Sequence, residues 1–388
     1  MTGSFWRVWM IFAAAALAPT LLFSFRALWI VQLAFWLPAG VLALGQPRAW
    51  LDLPRWSWFI LALLGWAAVT LLWTPSPRGP GDVAGHAILV LVSIQMLRFR
   101  VVEAPIFALG VFAALLLVTI DIAFGNAIRE AVPPENLPAK DAIGSARGLS
   151  LILLMLPPAV LTLSRQARGR AIVRSTGLIA GFGAAAGGIL ANGVALIAGI
   201  VAFAVTGLRQ VVGLKALIAL WGGALAAPFA LAAFLPGVDR LAQITALPDS
   251  TVHRLIIWRQ VLDLWVEGRT LFGAGARATH TLSPELGKIA LASGTDVSLV
   301  SAHPHNVPIQ ILYEFGLLGY GLTLAAVVLG AQVLLRRTWR PDVAAAIAAL
   351  GAVLLVFVTI DTDLWSVYTW SATVLSVCGL KAVAAERS

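Results

Sequence analysis

The chain has 388 residues, of which 60% are hydrophobic and 12% charged, and its mean hydropathy is +0.91. That balance excludes an ordinary soluble domain and places the chain among polytopic membrane proteins. The formal charge of +9 sits mostly in short loops between apolar runs, where the preference of Lys and Arg for the cytoplasmic side explains it without nucleic-acid binding.

Apolar runs of about 18 to 22 residues recur along the chain, each long enough at about 1.5 Å per residue to cross a hydrocarbon core of about 30 Å. An all-α fold of about twelve transmembrane helices is expected. The spans run at roughly 7 to 24, 27 to 46, 57 to 73, 83 to 98, 103 to 124, 147 to 164, 175 to 191, 193 to 208, 213 to 235, 314 to 335, 342 to 360 and 364 to 383. The first is read as a retained span, because a second apolar run follows directly after Arg26 and no small-residue cleavage site separates them. Threading from a cytoplasmic N-terminus puts Arg48, Arg55, Arg98, Arg100, Arg165, Arg168, Arg170, Arg174, Arg209, Lys215, Arg336, Arg337 and Arg340 inside, and leaves Arg26 and Arg78 in short outer loops.

Trp73-Thr74-Pro75 closes the third span in a proline-rich turn, TPSPRGPGD, which reads as helix punctuation. The Gly- and Ala-rich pair around Ala191-Asn192-Gly193 reads as two spans or as one long broken helix; the basic loops favour two. His86, Asp121 and Asn192 fall near the outer ends of their spans, where polar groups face a cavity or a partner. Most of the fifteen tryptophans lie near span ends, as interfacial anchors do. The single cysteine, Cys378, lies in the last run, so no disulfide forms within the chain.

The domains are therefore 1–235 (nine spans), 236–304 (one large periplasmic loop, a cap carrying amphipathic helices) and 305–388 (three spans). Within the cap, DSTVHRLIIWRQVLDLWVEG reads as an amphipathic helix capped by Asp249, Ser250 or Thr251. Leu255, Trp258, Leu262 and Trp265 lie on one face, and Arg259, Gln260, Asp263 and Glu267 point away. Arg254 lies near its positive dipole end, where an anion meets backbone N–H groups and a guanidinium together. Arg269, Arg277 and Lys288 follow, around the glycine-rich LFGAGARAT.

The stretch SAHPHNVPIQILYEFGLLGY, Ser301 to Tyr320, carries the densest chemistry. Asn306 suits a helix cap and Pro308 a first turn, and Gln310 and Glu314 fall one turn apart on one face. For His303 and His305 three readings stand open: a metal pair, with too few neighbouring ligands; structural histidines at a cap; or a group that handles a proton or contacts an anion. Asp361-Thr362-Asp363, in the outer turn between the last two spans, reads as a pair of turn carboxylates, or as residues that orient a histidine or bind a sugar hydroxyl.

At HPHNVPIQILYEFGLLG the chain resembles the O-antigen ligase and polymerase superfamily of bacterial envelope polymer assembly, whose motif is His-Asn followed by an apolar helix with Gln, Glu and paired glycines. LLWTPSP at the end of the third span, STVHRLIIWRQVLDL followed by LFGAG, and the large outer loop agree with it. The resemblance implies transfer of a glycan from an undecaprenyl-diphosphate carrier to an acceptor hydroxyl, in lipid A core or a similar glycan. It places that reaction at the periplasmic face of the inner membrane, surrounded by membrane lipids, with neither metal nor cofactor. A repeat-unit polymerase is the alternative, and a transporter of an anionic or lipid-linked solute is the alternative of another class. The resemblance makes His305 the catalytic histidine and Arg254 a diphosphate contact. His303, Asn306, Asn192, Asp361, Asp363, Gln310 and Glu314 support them. The resemblance departs at Ala191-Asn192-Gly193, where family ligases often carry an arginine. The second diphosphate cation is then Arg147, at the outer start of the sixth span, with Arg259 and Arg277 behind it.

Overall fold

A computed structural model describes residues 4–46, 57–132, 144–165, 169–282 and 286–385. Arg48, Arg55 and Arg168 lie outside these residues. In chain order the helices are α1 (Ser4–Ala15), α2 (Leu17–Phe23), α3 (Leu28–Leu44), α4 (Ser57–Thr70), α5 (Gly79–Phe99), α6 (Ala104–Ala123), α7 (Ala127–Glu130), α8 (Gly144–Ser164), α9 (Gly169–Ala186), α10 (Leu190–Leu208), α11 (Gln210–Phe234), α12 (Val238–Ala242), α13 (Asp249–Val266), α14 (Thr279–Leu282), α15 (Val307–Arg336), α16 (Pro341–Ile360) and α17 (Val367–Ala385). The fold is an all-α polytopic membrane protein. Ten spans among the described residues are long and apolar enough to cross a bilayer, with α1–α2 forming the first and the turn Phe25–Ala27 with α3 the second. The expected third and seventh spans are helical too, as α4 and α9. The first of these has only 14 residues, and α9 opens on a basic first turn, GRAIVR.

α8 lies at the centre of the bundle, with α2, α6, α9, α16 and α17 packed around it. Eighteen of its residues are buried, so it has no lipid-facing stripe. The Gly/Ala-rich segment forms two helices, as the basic loops favoured, but the break comes earlier, at Gly187–Ile189, where Gly188 has φ +68°. Asn192 is therefore not in a turn. It is fully buried in the first turn of α10, where its Nδ2 donates to the Ala146 carbonyl and its Oδ1 accepts from Ser150 Oγ, tying α10 to the start of α8.

The segment after α11 holds α12, α13, α14 and one feature that the sequence did not announce, a two-stranded antiparallel hairpin. Its strands are β1 (Lys288–Ala290) and β2 (Asp296–Ser298), with Ile289 opposite Val297. α13 forms as expected, but none of its first residues caps it through a side chain. Asp249 instead accepts Ser293 Oγ at 2.8 Å and Thr295 Oγ1 at 3.1 Å from the hairpin turn. The buried stripe of α13 is also rotated from the expected one. It consists of Val252, Ile256, Ile257, Val261, Leu262 and Trp265, because the helix packs against α11, α12 and α15 at once.

α15 is interrupted where a continuous helix was expected. Gly316, at φ +63° and ψ −167°, divides it into Val307–Phe315 and the longer remainder. The interruption frees backbone groups that the LFGAG segment takes up: Ala274 and Gly275 N–H donate to the Tyr313 and Glu314 carbonyls, and Leu317 and Leu318 N–H donate to those of Thr270 and Leu271. A β-carbon on Gly316 would stand 2.3 Å from the Leu271 oxygen, and one on Gly273 2.3 Å from the Glu314 oxygen. Two glycines thus permit one close backbone contact.

Gly316→Ala is expected to destabilise the protein by at least the roughly 1–3 kcal/mol of strain for a side chain in that backbone region. Gly330→Ala, on the same helix with open space around it, is expected to leave stability unchanged or to raise it by up to about 1 kcal/mol. Thermal unfolding of both variants in nanodiscs checks the pair; equal midpoints would contradict the docking role of Gly316.

Candidate functional site

The polar residues singled out in the sequence gather at one end of the bundle, where the start of α8, the α16–α17 turn, the start of α15 and the start of α5 meet. Asn306 caps α15 as expected: its Oδ1 accepts from Ile309 N–H at 3.0 Å, and its Nδ2 donates to the Thr359 carbonyl at 2.9 Å. This holds the His-Pro-His loop against the end of α16. From the other side, Trp258 Nε1 of α13 donates to the Pro304 carbonyl at 2.8 Å. His305 is consequently fixed in the left-handed region, φ +53°, uncommon for a residue with a β-carbon.

The two imidazoles lie against each other, with ring centres 4.1 Å apart, and are in different tautomers. His303 Nδ1 accepts the His305 backbone N–H at 3.2 Å, so the ring proton of His303 sits on Nε2. His305 Nδ1 lies 3.2 Å from the Asp361 carbonyl. A carbonyl only accepts, so Nδ1 of His305 holds the proton and its Nε2 lone pair is left to act as a base.

Burial lowers the pKa of both histidines. At His303 the neighbouring His305, Arg147 and Arg277 add to that effect while Asp363 opposes it. At His305 the bond to Asp361 and the Asp361 charge oppose it, and Arg254 and Arg147 add to it. Arg254 is therefore near enough to His305 to be felt, and its guanidinium forms no ion pair or hydrogen bond among the described residues. Asp363 goes the other way. Burial would raise its pKa, but His303, Arg277, the Gln310 amide and the Trp365 N–H outweigh that and hold it lower.

The cations divide into paired and unpaired groups. Arg147 pairs with Asp361. Arg277 pairs with Asp363 at 2.6 Å and Asp82 at 3.2 Å. Arg259 points elsewhere: it is clamped to Asp263 and donates to the Ala232 and Leu235 carbonyls at 3.2 and 2.9 Å, joining α13 to the end of α11. Arg269 and Lys288 are exposed.

Below the ion pairs, Gln310 and Glu314 lie on one face of α15 and are both fully buried. Glu314 accepts from Gln310 Nε2 at 3.0 Å, Trp365 Nε1 at 2.7 Å, Arg277 N–H at 2.9 Å and Thr279 Oγ1. Gln310 also donates to Asp363 Oδ1 at 2.8 Å and accepts from Leu364 N–H at 2.9 Å. Trp365, Thr279 and Asp82 were not picked out in the sequence. The nearest signals were the TPSPRGPGD turn and the Asp-Thr-Asp turn.

That proline-rich turn is more than punctuation. Trp73 Nε1 donates to the Gly273 carbonyl, Thr74 Oγ1 to the Ala276 carbonyl, and Ala276 N–H to Thr70 Oγ1. Of the three polar span-end residues, His86 packs edge-on against Trp365 at 5.2 Å, whereas Asp121 is used locally, accepting from Ser145 and from the N–H groups of Ile128 and Arg129.

A cavity of about 170 Å³ opens beside the histidines, with His303, Arg147, Asp361, Asp363, Arg26 and Tyr368 among its walls. His303 lines it and His305 does not. Asp361 connects the two, its carboxylate toward Arg147 and its carbonyl toward His305. Among the described residues no three or more His, Cys, Asp or Glu side chains gather as a metal site.

Residues 175–324 match a family model described as O-antigen ligase. The match covers α13, the LFGAG segment, both histidines and the first part of α15, and supports placing the chain in the O-antigen ligase and polymerase superfamily. No curated protein and no solved structure gives a significant match to the chain.

Because both imidazoles have folded-state values below the unfolded value of about 6.5, the unfolded chain binds protons first, and stability is expected to fall as pH drops below that value. Nitrogen-15 shifts of the histidine rings at pH 7 are expected to show Nε2–H for His303 and Nδ1–H for His305. His303→Asn is expected to lessen the acid sensitivity of the unfolding midpoint. A charged imidazole at pH 7 would contradict the tautomer argument.

Proposed function

We propose that this protein transfers a glycan from an undecaprenyl-diphosphate carrier to an acceptor hydroxyl, as an O-antigen ligase acting on lipid A core or a similar glycan, at the periplasmic face of the inner membrane. The observation that carries the reading is the contact of His305 Nδ1 with the Asp361 carbonyl at 3.2 Å, which leaves Nε2 as the acceptor, near an Arg254 guanidinium without an ion pair among the described residues. A neutral imidazole with a free nitrogen accepts a hydroxyl proton. A guanidinium stabilises the charge that develops on a leaving diphosphate.

In this reaction the acceptor hydroxyl gives its proton to His305 Nε2 as its oxygen bonds to the anomeric carbon of the donor. The bond from that carbon to the diphosphate oxygen breaks, and the diphosphate leaves on its lipid with Arg254 as its counter-charge. Arg147 is the second cation near the site; it stays in its pair with Asp361 and acts through its field at His305. Arg277 is held between two carboxylates and orders the site from behind. Arg259, bound to Asp263 and two carbonyls, shapes the cap; this replaces the diphosphate role expected for it from the sequence.

The sidedness rests on charge. The short loops at the site end carry Arg26 and Arg78, and the other basic residues of that end lie in the longer segments, which weigh less in this rule. At the other end Arg165 pairs with Asp342 at 2.8 Å and donates to the Val383 carbonyl, Arg340 pairs with Asp342, and Lys381 donates to the Leu97 carbonyl. Arg98, Arg100, Arg336 and Arg337 lie at that end too, which supports a cytoplasmic assignment for it.

His305→Ala is expected to lower transfer from a defined lipid-diphosphate glycan at least about 100-fold, the usual contribution of a general base. Arg254→Lys is expected to lower kcat/KM for that donor by roughly tenfold or more, because a point charge replaces a planar fork. Product formation by purified protein in nanodiscs measures both. Full turnover by the His305 variant would remove His305 from the reaction.

A further inference from the structure

We infer that the cavity beside His303 is a binding site for a single sugar ring of the acceptor, distinct from the place where Arg254 holds the diphosphate; the inference rests on the proposed glycan transfer. Its volume, about 170 Å³, leaves room for a hydroxyl-bearing ring.

The walls suit such a ring. Phe25 and Tyr368 meet edge to face, with ring centres 5.3 Å apart, and offer an aromatic side. Leu151 contributes an apolar side, and the Thr362 and Thr369 hydroxyls, bonded to each other at 3.0 Å, add a polar one. Opposite stands the Asp361 carboxylate, made rigid by Arg147 and able to accept from a sugar hydroxyl. His303 presents the cavity with an imidazole whose ring proton is on Nε2, a donor to a ring or hydroxyl oxygen.

Two features argue against a phosphate in this place. The carboxylates of Asp361 and Asp363 both line the cavity, and each already neutralises an arginine, so little positive charge remains for an anion. Arg26, with its guanidinium 5.7 Å from the centre of the Phe25 ring, is exposed at the margin and is the only lining cation without an ion pair among the described residues.

Asp361 gives the location its chemical sense. Its carbonyl fixes the His305 tautomer while its carboxylate belongs to the cavity wall, so a ring hydrogen-bonded to that carboxylate is placed against the residue that orients the base. Thr369 and Leu151 act here through the ring they contact and not on the reacting atoms.

The test is saturation-transfer NMR on the full chain in nanodiscs, with methyl glycosides of common hexopyranoses as probes and inorganic pyrophosphate as the competing anion. Transfer to at least one glycoside is expected, reduced at least about tenfold by Leu151→Trp, which fills the cavity from its apolar side, and severalfold by Thr369→Val, which keeps the shape and removes the hydroxyl. Pyrophosphate is expected not to displace the glycoside. Absence of transfer from every glycoside, an undiminished signal in both variants, or displacement by pyrophosphate overturns the inference. A parallel transfer assay separates the two proposals: glycoside binding without any transfer from a defined donor tells against the proposed reaction and leaves the sugar site standing, and transfer abolished by His305→Ala without glycoside binding does the reverse.

Discussion

The buried carboxylate of Glu314 is the contact on which the site depends. Burying a polar group without hydrogen-bond partners costs roughly 2–7 kcal/mol, and Glu314 is fully buried. Four donors offset that cost, and they come from four places in the chain: the preceding turn of α15, the α16–α17 turn, the backbone at Arg277 and the start of α14. Each such hydrogen bond contributes about 0.5–1.5 kcal/mol, and one left unmade in the interior costs about 1–3 kcal/mol. One carboxylate thus holds together segments that loop entropy alone would leave independent. Because Gln310 extends the same network to Asp363, and Asp363 holds Arg277, the electrostatics of the surface layer are set from below.

A second constraint acts on the backbone. α15 stops being helical at Gly316, and the LFGAG segment fills the gap with its own N–H and C=O groups. In a lipid-facing helix such a break would leave unsatisfied groups at several kcal/mol each. Here the segment after α13 satisfies them, and Trp66 adds a bond from its Nε1 to the Phe315 carbonyl at 3.0 Å. The three motifs that stood apart in the sequence, LLWTPSP, LFGAG and EFGLLG, are therefore parts of one joint.

This joint marks the limit of what the sequence makes legible. The apolar runs announce the helices because length and hydropathy are local properties, and Asn306, Gln310 and Glu314 could be placed on their cap and face by spacing alone. The partners could not be placed so. Trp365 and Thr279 carry no sequence signal of bonding to Glu314, since the contact spans 51 residues in one case and 35 in the other. Asp82 read as part of a turn, although it meets Arg277 across the bundle. Charge alone misleads as well: Arg259 and Arg277 look equivalent in sequence, yet one clamps α13 to α11 and the other lies between two aspartates. The hairpin at 288–298 was missed because its strands have three residues each, too short for a period of two to show.

Asp361 shows why the adjacent histidines are not interchangeable. A carboxylate bonded to His305 Nδ1 would also fix its tautomer, but it would raise the ring's pKa and favour the charged imidazole, which is no base. The structure uses the backbone carbonyl of the same residue for that bond and commits the carboxylate to Arg147. The imidazole is oriented by a neutral acceptor, while burial and the guanidiniums of Arg254 and Arg147 keep it uncharged. His303 is fixed by the opposite arrangement, accepting at Nδ1 from the chain itself, and so donates where His305 accepts. An acceptor and a donor nitrogen stand in adjacent rings tilted by 53°, and the left-handed backbone of His305 allows both to be held by one short loop.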